Sequence, residues 1–303
     1  MSTNEAGTLT PGSAFADANG IRICYESFGD PAAPPIMLIM GLAAQMVVWD
    51  DDFCTLLAAR GFHVVRFDNR DMGESTRFDD RAAPTMAQIF AASFAGKPLT
   101  PVYTLRDMAA DTVGLMDALG LETANIVGLS MGGMIAQEVA LSFPQRVRTL
   151  TSIMSSTGDP SLPQATPAAV AVITRDSPPD KEGYVASYVQ AWSVINGDLI
   201  AFDVDRTAYT AGRSYDRGPN PAGVSRQMLA ILDSGNRTER LQKLDVPALV
   251  IHGTNDPLVP PDAGRATARA IPGAKLVLIE GMGHTLPRSI WPQIVDAIAA
   301  HAR

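Results

Sequence analysis

The chain has 303 residues, of which 46% are hydrophobic and 18% are charged, and its formal net charge at pH 7 is −8. This composition excludes an intrinsically disordered chain, and no uninterrupted apolar run approaches the roughly 20 residues that a membrane-spanning helix needs. Because the net charge is negative and the basic residues are scattered, we expect neither nucleic acid nor a membrane as a partner.

The N-terminal segment, MSTNEAGTLTPGSAFADANG, has no basic start followed by an apolar stretch. It therefore predicts no secretory signal, and the cytoplasm is the expected location. The two cysteines, Cys24 and Cys54, form no CxxC pair and have no histidine nearby at the spacing of metal ligands. We interpret both as small packed hydrophobic side chains, and we expect no metal.

Short apolar or β-branched segments predict strands along most of the chain. A hairpin around DANG at 17–20 is predicted at one edge of the sheet, and strands are predicted at 21–27, 36–40, 63–68, 124–130, 149–154, 248–253 and 275–281. Helices are predicted from residues 48, 105, 134 and 262 and at the C-terminal end. Because several strand segments lack polar alternation, this order predicts a doubly wound, mostly parallel sheet with right-handed crossovers.

From about residue 156 to residue 240 the alternation of strands and helices stops. Helix-like segments, KEGYVASYVQAWSVI and GVSRQMLAILDSG, are separated there by groups of Pro and Gly residues. We predict a helical cap at 156–240 and a core domain formed by 1–155 and 241–303; an ordinary run of connecting helices is the alternative. The large side chains of the insertion either line an apolar pocket or pack the cap on its base. These are Tyr184, Tyr188, Trp192, Phe202, Tyr209 and Met228.

The segment ANIVGLSMGG, residues 124–133, places Ser130 directly after a predicted strand. Its Gly-x-Ser-x-Gly pattern is typical of a nucleophile elbow, in which the glycines remove side chains that would collide where strand and helix converge. An ordinary strand-to-helix turn is the alternative. Asp256 and His284 also follow predicted strands. Because ligands of open α/β sheets bind beyond the carboxyl ends of the strands, we expect these three side chains to lie together.

The chain order Ser130, Asp256, His284 resembles that of the α/β-hydrolase superfamily, and the resemblance extends along nearly the whole chain. Within it, GLSMGG, DNRDMGEST at 68–76 and GMGHTLP are similar to the motifs of carboxylesterases such as aclacinomycin methylesterase. The resemblance implies an α/β-hydrolase fold with a helical cap. It also implies hydrolysis of carboxylic esters through an acyl-Ser130 intermediate, with no metal and no organic cofactor. From the large side chains of the insertion we expect small, fairly apolar esters.

Each residue type suits one role in this chemistry. A serine hydroxyl needs a neutral imidazole to accept its proton, so His284 is the expected base and acid, and Asp256 is expected to fix its tautomer. The backbone N–H groups of Met131 and Leu42 are the expected donors of the oxyanion hole. Met40 stands where the family usually has a histidine before the glycine. The change keeps the amide donor and leaves open what steadies the loop.

Several residues have alternative interpretations. Asp159 follows the strand at 149–154, from which some family members supply the acid. The charges of DNRDMGES suit a hydrogen-bonded loop that supports the site; they are Asp68, Arg70 and Asp71. His63 and His252 are interpreted as packing residues, and His301 as lying near a fraying terminus.

The same three site residues also suit a cofactor-free perhydrolase, a lactonase or a C–C bond hydrolase. Dehalogenases and epoxide hydrolases of this fold use an aspartate nucleophile, so Ser130 argues against them. A non-catalytic protein that holds a small apolar ligand under the cap is the alternative from a different class. The presence of all three residues argues for chemistry.

Overall fold

The described residues of this computed structural model, 12–97 and 99–303, contain eight strands in one sheet, in the order β1-β2-β4-β3-β5-β6-β7-β8. The strands are β1 (Ala14–Ala18), β2 (Ile21–Phe28), β3 (Pro35–Ile39), β4 (His63–Phe67), β5 (Ala124–Leu129), β6 (Val147–Ile153), β7 (Ala248–Gly253) and β8 (Lys275–Ile279). The β1–β2 and β2–β4 pairs are antiparallel. All other neighbours are parallel, so the predicted mostly parallel sheet with an edge hairpin is confirmed.

Helices cover both faces of the sheet because the central strands are apolar on both faces. In β3, Met37 and Ile39 join one hydrophobic cluster, whereas Ile36 and Leu38 join another. The helices are α1 (Asp51–Ala58), α2 (Met86–Phe94), α3 (Leu105–Ala118), α4 (Met131–Ser142), α5 (Pro167–Thr174), α6 (Lys181–Asn196), α7 (Val204–Asp216), α8 (Pro221–Ser234), α9 (Thr238–Leu241), α10 (Pro261–Ala270) and α11 (Trp291–His301). Helices α3 and α4 contribute to the first cluster, and α1 and α11 to the second.

The segment between β6 and β7 is helical. It holds α5, α6, α7 and α8, and no strand occurs between residues 154 and 247, an interval that the structure describes throughout. The predicted boundary at 240 falls inside the short helix α9. Helices α2, α5, α7 and α9 were not predicted from the sequence.

Two predictions about single residues have clear outcomes. Cys24 and Cys54 are buried and unpaired, and burial raises the pKa of each thiol to about 12, so both stay protonated.

The prediction that His301 lies near a fraying terminus is wrong. His301 is the last residue of α11, it is buried, and its Nε2 lies 3.2 Å from the Pro247 carbonyl oxygen. The terminus is ordered because Ile294, Val295 and Ile298 anchor α11 in the second cluster.

No helix among the described residues is both long and apolar enough to span a bilayer. Residues 1–11, which belong to the segment inspected for a secretory signal, lie outside the described part of the chain.

Candidate active site

Ser130 occupies the turn between β5 and α4 in an uncommon backbone conformation. Its φ is 55° and its ψ is −120°, a region that non-glycine residues rarely adopt. A Cβ added at Gly128 would lie 2.0 Å from the Gly132 carbonyl oxygen, and one added at Gly132 would lie 2.1 Å from the Ile39 carbonyl oxygen. Only glycine fits at either position, as the spacing predicts. The crowded turn places Ser130 at the carboxyl end of the sheet.

His284 connects Ser130 to Asp256. The Ser130 hydroxyl donates to His284 Nε2 at 3.0 Å, and His284 Nδ1 donates to Asp256 Oδ2 at 2.7 Å. These two bonds require the imidazole tautomer with its proton on Nδ1, which leaves Nε2 free to accept the serine proton. The three side chains arrive from the ends of β5, β7 and β8, so the structure brings together the residues that the sequence selected.

The Asp256 carboxylate is buried and saturated with donors. Its Oδ1 accepts the backbone N–H groups of Leu258 at 2.9 Å and Val259 at 2.8 Å. Burial by itself raises the pKa of Asp256, but the imidazoles of His284 and His252 and their hydrogen bonds outweigh burial and hold that pKa at about 2. The carboxylate is therefore ionised at neutral pH and can stabilise a charged imidazole.

His252 is a second imidazole beside the same carboxylate. The ring is fully buried, and its Nε2 lies 2.8 Å from the Val259 carbonyl oxygen and 3.5 Å from Asp256 Oδ2. Donation to the carbonyl places a proton on Nε2. The ring also packs closely on Gly264, where an added Cβ would lie 2.4 Å from Nδ1. The interpretation as a packing residue is thus incomplete, because His252 also contacts the acid.

Asp159, the alternative acid, lies in the loop after β6. Its Oδ1 accepts both the backbone N–H of Ser161 at 2.9 Å and the Ser161 hydroxyl at 2.8 Å. Those bonds lower the pKa of Asp159. Asp256, by contrast, is directly bonded to His284, so the geometry favours Asp256 as the acid.

The loop that carries Leu42 lies beside Ser130. A Cβ added at Gly41 would be 3.2 Å from both the Leu129 carbonyl oxygen and Ser130 Cβ. Met131 is the first residue of α4, and an N–H at this position has no partner inside its own helix. Both backbone groups expected to form the oxyanion hole therefore belong to segments that adjoin the serine.

Two buried amide side chains hold this loop, in which Met40 replaces the usual histidine. Asn69 Nδ2 donates to the Met40 carbonyl oxygen at 2.8 Å. Gln227, on α8, accepts the Ala43 N–H at 3.4 Å and donates to the Arg70 carbonyl oxygen at 3.0 Å. Sequence reasoning missed both residues. Asn69 lies in the quoted DNRDMGEST motif, whereas nothing in the sequence marks Gln227.

The charged side chains of that motif form buried ion pairs. The pairs are Asp68–Arg217, Arg70–Asp111 and Asp71–Arg226. The predicted hydrogen-bonded loop is therefore confirmed, but two of its partners, Arg217 and Arg226, come from the helical insertion. The Asp68–Arg217 and Asp71–Arg226 pairs are buried and costly to break, so they fix the insertion to the core.

A cavity of about 710 Å³, counted with its opening to solvent, lies next to His284. Its lining includes four large aromatic side chains, Tyr188, Trp192, Phe202 and Trp291, together with polar residues. Charged side chains also line it: Arg206 pairs with Asp50, Arg288 pairs with Asp52 outside the lining, and Asp203 accepts the Arg206 backbone N–H at the start of α7. The cavity therefore suits an apolar group better than a charged one.

The other large side chains of the insertion lie elsewhere. Tyr184 packs between Tyr188 and Tyr215, and Tyr209 is exposed. Met228 packs with Ile89 and Leu229, away from the cavity lining. Within residues 12–97 and 99–303, no group of three or more His, Cys, Asp or Glu side chains is arranged to hold a metal ion.

The model of the α/β-hydrolase fold family matches residues 34–287. The chain belongs to this family, and the α/β-hydrolase fold predicted from the sequence is confirmed. The chain is 32% identical to rhodomycin D methylesterase DnrP of Streptomyces peucetius over 306 aligned residues, which cover 93% of this chain and 95% of the relative. The resemblance to methylesterases is confirmed as well.

Other relatives are named for different reactions. The chain is 28% identical to a putative carbamate hydrolase RutD of Pseudomonas syringae, over 83% of this chain and 87% of the relative. Its structure superposes on a meta-cleavage product hydrolase from Pseudomonas fluorescens IP01 with a TM-score of 0.75, at 18% identity, over 95% of this chain and 96% of the other. That likeness shows the fold alone.

Proposed function

We propose that this enzyme, a carboxylic ester hydrolase, cleaves small, fairly apolar esters through a covalent acyl-Ser130 intermediate. One observation carries the proposal: the Ser130 hydroxyl, His284 and Asp256 form a continuous chain of hydrogen bonds of 3.0 Å and 2.7 Å beside a cavity that has aromatic side chains in its lining. The serine is the nucleophile, the histidine is the base and the aspartate is the residue that orients it.

The steps follow from the positions of the protons. Ser130 Oγ attacks the ester carbonyl carbon while His284 Nε2 takes the hydroxyl proton, and the carbonyl oxygen becomes an anion. Donation from the backbone N–H groups of Leu42 and Met131 stabilises that anion, and each such donor contributes about 3 kcal/mol in comparable sites. The imidazolium then returns the proton to the departing alkoxide. Water repeats the sequence on the acyl enzyme, which releases the acid and restores the serine.

The proposal assigns different functions to two parts of the chain. Residues 1–155 and 241–303 form the core domain that carries the reacting groups, and residues 156–240 act as a cap that selects the substrate. The position of Tyr188, Trp192 and Phe202 in the lining of the cavity beside His284 supports this division.

The four aromatic side chains in the cavity lining support an apolar acyl group. The 32% identity to a rhodomycin D methylesterase supports methanol as a leaving alcohol. We therefore expect methyl esters of apolar acids to be substrates. The cytoplasmic location expected from the sequence stays a prediction, which cell fractionation tests.

Hydrolysis of methyl and p-nitrophenyl esters of increasing acyl length tests the proposal. Ser130→Ala should keep the fold, checked by circular dichroism, and should lower kcat at least about 1000-fold, because the three residues act as a unit. A variant that retains activity within tenfold of the wild type would refute the assignment of the nucleophile.

A further inference from the structure

The end of α6 lies directly against the loop that carries His284. The His284 backbone N–H donates to the Ile195 carbonyl oxygen at 2.7 Å, and the Thr285 hydroxyl donates to Asn196 Oδ1 at 2.6 Å. A Cβ added at Gly283 would lie 2.1 Å from the Asn196 carbonyl oxygen, so the two backbones touch where a side chain cannot fit. The insertion therefore contacts the histidine loop as well as the cavity.

Both the oxygen and the nitrogen of the Asn196 amide form hydrogen bonds. While Oδ1 accepts the Thr285 hydroxyl, Nδ2 donates to the Ile200 carbonyl oxygen at 2.8 Å. The residue is only 1% exposed, so the loss of either bond leaves a buried polar group without its partner. Asn196 thus joins the loop after α6 to the residue that follows His284.

We propose that Asn196 is a positioning residue, which acts through Thr285 to hold the His284 imidazole between Ser130 and Asp256. The proposal rests on the function proposed above. The imidazole must keep two bonds at once, at 3.0 Å and 2.7 Å, so a shift of about 1 Å lengthens one of them beyond hydrogen-bond range. Misplacements of that size cost about 100-fold in rate.

In this proposal two residues of helix α6 have different functions. Trp192 lies one turn before Asn196 on α6, and the cavity lining includes both of these residues and Thr285. Trp192 is expected to govern which ester binds, whereas Asn196 governs how fast a bound ester reacts. The insertion then does more than cover the site, because helix α6 sets the position of the His284 imidazole.

The chain offers a matched control for the test. Thr149 donates to Asn125 Oδ1 at 2.9 Å, and Asn125 Nδ2 donates to the Pro35 carbonyl oxygen at 3.1 Å, so this pair repeats the hydrogen bonds of Thr285 and Asn196. Asn125 lies near the start of β5, and Ser130 follows the end of that strand. Loss of the control pair lowers stability without disturbing the histidine loop.

The experiment measures kcat and KM for p-nitrophenyl acetate, the rate of labelling by a small phosphonate, and the melting temperature. The variants are Asn196→Ala, Thr285→Val and their double mutant, with Asn125→Ala and Thr149→Val as controls. Thr285→Val keeps the shape of the side chain and removes only the hydroxyl, so it remains informative if Asn196→Ala does not fold.

We expect each site variant to lower kcat and the labelling rate at least tenfold with KM within about twofold of the wild type. The double mutant should be no slower than the slower single variant, because both changes break the same link. The controls should keep kcat within twofold. Site variants that keep kcat within twofold, or whose effects multiply in the double mutant, would overturn the role of Asn196. Failure of the wild type itself to be labelled would instead count against the proposed function.

Discussion

Replacement of Asp256 by asparagine tests whether the acid sets the imidazole tautomer, and the structure predicts which way the new amide turns. Because Oδ1 accepts the Leu258 and Val259 N–H groups at 2.9 Å and 2.8 Å, the amide oxygen must stay on that side. The amide nitrogen then faces His284 Nδ1 across the 2.7 Å contact and donates to it. The imidazole is forced to carry its proton on Nε2, where it cannot accept the serine proton.

The expected loss in kcat is about 10⁴-fold, the size measured when the same change was made in a serine protease. That factor corresponds to roughly 5 kcal/mol of activation barrier. Since asparagine has nearly the shape of aspartate, we expect the variant to remain folded. The loss should therefore appear in turnover and not in the amount of native protein.

The assay is steady-state hydrolysis of a p-nitrophenyl ester, with circular dichroism as a check on folding. Asp159→Asn is the control, because Asp159 bonds Ser161 and not His284, and it should keep kcat within about twofold. A folded Asp256→Asn variant with kcat within tenfold of the wild type would show that Asp256 does not set the tautomer of His284. A larger loss of kcat in Asp159→Asn than in Asp256→Asn would show that Asp159, in the loop after β6, is the acid.

Three further predictions concern the cavity, the oxyanion loop and pH. Trp192→Ala should change the ratio of kcat/KM for long and short acyl esters by about 1 to 3 kcal/mol, whereas Tyr209→Ala, on an exposed residue, should not; equal profiles would exclude the cavity as the acyl site. Asn69→Leu should lower kcat about tenfold with little change in KM, because the Met40 carbonyl loses its donor and the oxyanion loop shifts; an unchanged kcat would contradict this. Since the pKa of Asp256 is lowered to about 2, its ionisation adds stability that is complete above about pH 4 and is lost as pH falls toward 2. The difference in melting temperature between wild type and Asp256→Asn should shrink over that range, and a constant difference would disprove the linkage.

The sheet was predictable because each central strand is buried on both faces. The run Ile36–Met37–Leu38–Ile39 has no polar interruption, and its residues alternate between the two hydrophobic clusters. Helix α7 was not predicted because its sequence is strongly polar. Its Arg213 pairs at 3.0 Å with Asp51 of the core, a partner far away in the chain that no local pattern reveals.

In the candidate site, too, some residues could be predicted from the sequence and others could not. Ser130, Asp256 and His284 each follow a strand, so local spacing was enough to select them. Asn69 and Asn196 act through hydrogen bonds to segments that are distant in the sequence. No characteristic sequence spacing marks an amide side chain with such a role. Such residues become visible only when the fold brings their partners together.

Covalent labelling of the intact enzyme with a p-nitrophenyl phosphonate, followed by peptide mass spectrometry, tests directly whether Ser130 is the nucleophile. The hydrogen bond from Ser130 to His284 Nε2 predicts one phosphonyl group per chain, located on Ser130, with release of one nitrophenol and matching loss of ester hydrolysis. Ser130→Ala should remain unlabelled. Folded wild-type protein that hydrolyses esters without an adduct on Ser130, or that carries the adduct elsewhere, would show that Ser130 is not the nucleophile.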